Sequence, residues 1–77
     1  MKKLNLSQNE ILDARPIADL RKLEELNMYG NRKLTSIAGF DKLTDLKKLN
    51  LGRCIGITDI SPLASSNKLE ELYFYNS

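Results

Sequence analysis

The sequence predicts one curved solenoid, with a short parallel β-sheet lining its inner side and turns, 3₁₀ segments or brief helices on its back. Three observations carry this. An apolar phrase, L-x-x-L-x-L-x-x-N/C, starts at Met1, Leu23, Leu46 and Leu69, at spacings of 22, 23 and 23 residues. The stretch after each phrase also aligns, with Ile11, Leu34 and Ile57 in one column and Ile17, Phe40 and Leu63 in another. The outward positions of the phrase alternate in charge from unit to unit. A unit this short cannot bury its apolar face alone, so neighbours must stack.

Taken in order, the units span 1–22, 23–45, 46–68 and a partial 69–77 within a single domain. In each x-L-x-L-x the side chains alternate between faces, as a strand requires. Leu4 and Leu6, Leu26 and Met28, Leu49 and Leu51, and Leu72 and Phe74 are the inward pairs. Asn9, Asn31 and Cys54 mark where the chain leaves the strand. A buried amide there has donors and an acceptor for the bending backbone, and Cys54 is read as a small buried side chain. Units two and three carry one extra residue between this column and the Ile/Leu column, in a loop where insertion is cheap. Pro16 and Pro62 lack a backbone donor and suit an irregular arc. Pro16 is tolerated near a helix start, so a brief helix is expected within Ala14–Lys22. Gly39 in the same column predicts a looser turn. Leu20 and Leu43 share a column that holds Ser66 in unit three.

These phrases resemble the leucine-rich repeat family, whose pattern is L-x-x-L-x-L-x-x-N/C-x-L. The resemblance covers three full units and the strand of a fourth. Ile57-Thr58-Asp59-Ile60-Ser61-Pro62-Leu63-Ala64 is similar to the back-side wording of the bacterial internalin-type repeat, and protein-phosphatase-regulatory repeats are similar too. The resemblance implies an α/β-type leucine-rich repeat solenoid. It also implies a non-enzymatic module that binds a protein partner on its concave face, and, for internalins, a bacterial surface protein.

The outward strand residues form the concave face. Its rungs are Lys3, Glu25, Lys48, Glu71 and, beside it, Lys2, Glu24, Lys47, Glu70. The charges alternate strand by strand, which reads as a self-satisfied ladder that resists register slip. Asn5, Asn27, Asn50 and Tyr73 follow, with amides expected to hydrogen-bond along the stack. Ser7, Tyr29, Gly52 and Tyr75 form the last rung. Tyrosine offers large contact area and a polar tip at low entropic cost, although exposed strand positions favour aromatics in any case. Tyr29, Gly52, Tyr73 and Tyr75, with Asn27 and Asn50, are the candidate partner-binding residues. Gly52 is expected to leave a notch between Tyr29 and Tyr75.

Composition restricts the remaining options. Twelve Lys and Arg against ten Asp and Glu give +2, without the clustered basic face of a nucleic-acid binder. No apolar run approaches the roughly 18 residues of a membrane span. The chain has no histidine and one cysteine, so neither a thiol–base pair nor an internal disulfide is expected. No cofactor or metal is expected; Asp13, Ser36 and Asp59 share a column that makes only a slight case for a cation. Met1-Lys2-Lys3 opens no apolar signal segment, because Asn5, Ser7, Gln8, Asn9 and Glu10 interrupt it. As written this reads as cytoplasmic, and as cell surface if the chain is part of a larger internalin-like protein. The terminal units carry no caps. Leu4 and Leu6 at one end, and Leu72 and Phe74 at the other, are therefore expected to cause homo-oligomerisation through the terminal strands. The alternative function is a structural or assembly element, or a fragment of a longer array.

Overall fold

Each x-L-x-L-x phrase forms a three-residue strand in a computed structural model that describes residues 2–74: β1 (Lys3–Asn5), β2 (Glu25–Asn27), β3 (Lys48–Asn50) and β4 (Glu71–Tyr73). They make one parallel sheet in the order β1-β2-β3-β4. The register is that of the aligned columns. Lys3, Glu25, Lys48 and Glu71 lie side by side, as do Leu4, Leu26, Leu49 and Leu72, and then Asn5, Asn27, Asn50 and Tyr73. The connections between strands carry the back-side elements: helix α1 (Arg15–Ala18) and two 3₁₀ helices, Phe40–Lys42 and Ser61–Ser65.

The expected helix within Ala14–Lys22 is a single turn. Pro16 lies in its first turn, and by Asp19 the amide is already closing back onto the carbonyls of Pro16 and Ile17. The turns entering the back side are held by side chains: Asp13 accepts from the amide of Arg15, Ser36 from Ala38 and Asp59 from Ser61. The Asp13, Ser36, Asp59 column is thus explained by turn formation. Gly39 adopts φ 98° just before its 3₁₀ helix, a left-handed conformation that glycine adopts without steric cost.

Between sheet and back lies one apolar core. Leu26 and Leu49 are 2% and 1% exposed, and Met28, Leu34, Phe40, Leu51 and Ile57 are fully buried. Burial falls off at the outer strands. Leu4, Leu6 and Phe74 are only partly buried, and Leu72 is 38% exposed.

Leaving the strand, the chain makes the same left-handed turn in three units, at Gln8 (φ 55°), Gly30 (φ 81°) and Arg53 (φ 56°). Only unit two has glycine there, and the other two bear the steric cost of that conformation. A second backbone constraint sits at Gly56, where an added Cβ would lie 2.7 Å from the carbonyl oxygen of Leu34 in the preceding unit. Gly56→Ala must push two stacked units apart and is expected to cost about 1–3 kcal/mol. A thermal melt followed by circular dichroism checks this, at about 4–8 °C per kcal/mol for a chain of this size.

Candidate functional site

Because side chains alternate across a strand, the residues that do not enter the core line a shallow groove across the sheet, of about 330 Å³. It crosses all four strands, and its walls come from the charged rung, the Asn rung and Tyr73. In the charged rung Lys3 meets Glu25 at 3.4 Å and Lys48 meets Glu71 at 3.3 Å, while Lys47 meets Glu24 at 3.8 Å in the rung beside it. The hydrogen bond that the Lys48 ammonium donates to Glu71, followed by the charges of Glu71 and Glu25, raises the pKa of Lys48. The positive and negative groups of the groove therefore compensate one another locally.

The Asn rung differs from the expected amide ladder. Asn5 Oδ1 accepts from the amide of Ser7, Asn27 Oδ1 from Tyr29 and Asn50 Oδ1 from Gly52, at 2.8–3.0 Å. Each amide closes a turn in its own unit, because a side-chain oxygen reaches the N–H two residues on more readily than it reaches a neighbouring strand. With the oxygens so used, the Nδ2 groups are left without a protein acceptor among the described residues. This turn-capping role was not anticipated, although an Asn two residues before the strand's exit is the signal that announces it.

The candidate residues fall into distinct environments. Tyr73 is 51% exposed and donates its hydroxyl to Glu71 Oε1 at 3.2 Å. Tyr29, Asn27 and Asn50 are half-buried. Gly52 is buried, its N–H on Asn50 and its carbonyl accepting from Gly30, so it contributes scarcely any surface of its own to the expected notch. Tyr75, the other side of that notch, lies outside the described residues.

The Asn/Cys column follows the strands, and its two buried members tie the units together. Asn31 is fully buried. Its Nδ2 donates to the carbonyls of Leu6 and Met28, and its Oδ1 accepts from the amide of Ile11. Asn9, in the outermost unit, is exposed and bonds only to Leu6 and Ser7 of its own unit. Cys54 is fully buried and donates its thiol proton to the Met28 carbonyl at 3.0 Å. Burial pushes its pKa up, against smaller opposing effects from backbone groups of Asn31 and Gly30. The folded state thus favours the neutral thiol. Its contribution is present at low and neutral pH and is lost as pH rises past the ordinary thiol value of about 8.5. The thermal midpoint is expected to fall through that range, with the fall reduced in Cys54→Ser. Thiol reagents are expected to modify the chain only as fast as it opens.

The stacked parallel strands, the Asn/Cys turn column and the 3₁₀-rich back define a repeat scaffold of the kind that serves as a protein-interaction module. The family description "Leucine Rich repeats (2 copies)" matches residues 1–42, and the chain belongs to the leucine-rich repeat family, in its internalin-like form. Among solved structures, internalin C2 from Listeria monocytogenes superposes with a TM-score of 0.87 at 36% identity, covering 95% of this chain and 31% of that one. An internalin (inlF) from the same strain gives 0.81 at 32% identity, covering 94% of this chain and 21% of that one. The chain thus spans less than a third of the length of either. No curated protein matches it significantly. Among the described residues no helix is long and apolar enough to cross a membrane.

Proposed function

We propose that the chain is a non-enzymatic binding module that holds a protein partner on its concave sheet, around Tyr29, Tyr73 and Tyr75 with Asn27 and Asn50. The observation that carries this is the division of labour in the groove. The charged rungs compensate one another, and what remains on the groove's walls is Tyr73 and a row of Asn Nδ2 donors. Rigid aromatic area beside adaptable polar groups is the usual composition of a binding hot spot. The internalin likeness supports the same reading and favours a surface-associated setting over a cytoplasmic one.

The test is a partner captured on immobilised chain and then titrated against Tyr29→Ala/Tyr73→Ala/Tyr75→Ala. An affinity loss of at least about tenfold, or 1.4 kcal/mol, is expected with the melt nearly unchanged. Unchanged affinity would move the binding site to another surface.

A second reading, self-association through the terminal strands, is favoured by Leu72, which is 38% exposed while Leu26 and Leu49 in the same rung are 2% and 1%. Light scattering at rising concentration tests it, and a strict monomer would overturn it.

A further inference from the structure

We propose that self-association of this chain has a polarity: the outer edge of β4 docks beside the outer edge of β1 in a second copy, as a further parallel strand. This rests on the self-association reading and adds the geometry of the seam.

The repeating backbone bonds define what each edge offers. Glu25 N–H donates to the Lys2 carbonyl, Lys48 N–H to Glu24 and Glu71 N–H to Lys47, at 2.9–3.1 Å. The next member of that series is Lys3 N–H of a second copy onto the Glu70 carbonyl. Leu6 N–H donates to Asn27, Met28 N–H to Asn50 and Leu51 N–H to Tyr73, at 2.7–2.8 Å. The next member is Phe74 N–H onto the Asn5 carbonyl of the second copy. By the same periodicity these four groups point away from the sheet at its two edges. Exposed edges of this kind are templates for strand addition.

The side chains select the polarity. The rungs run Lys, Glu, Lys, Glu, an even number, so their ends carry opposite charges. Placing β1 beside β4 continues both alternations, Lys3 next to Glu71 and Lys2 next to Glu70, and sets Leu4 beside the exposed Leu72. A two-fold dimer has none of these charge pairs. It would run antiparallel about Leu4 or Leu72, setting Lys3 opposite Asn5 or Glu71 opposite Tyr73. The head-to-tail contact is heterologous, so copies add in series and do not stop at two.

Charge reversal tests the seam. Lys2→Glu/Lys3→Glu makes both ends of one chain acidic, and Glu70→Lys/Glu71→Lys makes both ends of another basic. Each alone is expected to lose association by about tenfold or more in sedimentation velocity. An equimolar mixture is expected to regain it, because each chain's tail then fits the other's head. Circular dichroism confirms that each chain is folded. If either is not, Lys3→Cys and Glu71→Cys chains are mixed under mild oxidation, since neighbouring strand positions lie within disulfide reach. A mixed disulfide is expected, and only like-with-like dimers would overturn the polarity. Wild-type association that survives both reversals, or variants that fail to complement, would overturn head-to-tail docking and leave self-association standing. A wild-type chain that is monomeric at every concentration would overturn both.

Discussion

Asn31→Ala is expected to cost about 1–3 kcal/mol, well above the loss at Asn9 in the same column. The side chain is fully buried and closes three bonds, from Nδ2 to the carbonyls of Leu6 and Met28 and to Oδ1 from the amide of Ile11. Met28 keeps other donors, the Cys54 thiol and the Asn31 amide. The Leu6 carbonyl likewise keeps the Asn9 amide as a donor, and the half-buried Ile11 amide alone loses its partner. Stranding that group costs about 1–3 kcal/mol. At the ordinary scale of stability per residue, a chain of 77 residues has only about 4–12 kcal/mol in all. Asn9→Ala is the control. It occupies the same column, but its exposed amide bonds only to its own unit, and water replaces it for under about 1 kcal/mol. Urea titrations of the two variants side by side measure the difference.

Phe40→Ala is expected to cost about 3–5 kcal/mol, the range for removing a large aromatic from a close-packed core. Phe40 is the largest fully buried side chain of the described residues and starts the first 3₁₀ helix, between α1 and Ser61–Ser65. Its backbone bonds, from its amide to Ile37 and to its carbonyl from Leu43, do not depend on the ring, so the measured loss reports packing. The urea midpoint should fall with an unchanged slope. Leu63 holds the same column one unit on but is 8% exposed. Leu63→Ala is expected to cost less, about 2 kcal/mol.

The architecture was legible because two periodicities coincide in this chain. A spacing of two within each strand and of 22–23 between strands together assign both the face and the neighbour of every leucine, which fixed the register from Lys3 to Tyr73 residue by residue. The back side was less legible. Its turns depend on side-chain oxygens reaching amides two residues away, at Asp13, Ser36 and Asp59, and hydropathy does not report such bonds. The same applies to the concave Asn rung, where local capping competes with stacking and prevails. Gly56 gave no signal, because its constraint is a carbonyl of another unit. Ser66 was visible as a polar residue in the Leu20/Leu43 column. It is buried there with its hydroxyl unpartnered, and nothing in the structure explains why a serine stands at that position.

The bonds described for Asn31 and Cys54 share one property: none reaches beyond the neighbouring unit. The same is true of every sheet bond and every inter-unit ion pair among the described residues. The fold is therefore a linear chain of links, in which loss of order at one terminus need not be felt two units away. Amide protection against hydrogen exchange should rise from both ends toward the junction of units two and three, so that the molecule melts by fraying inward.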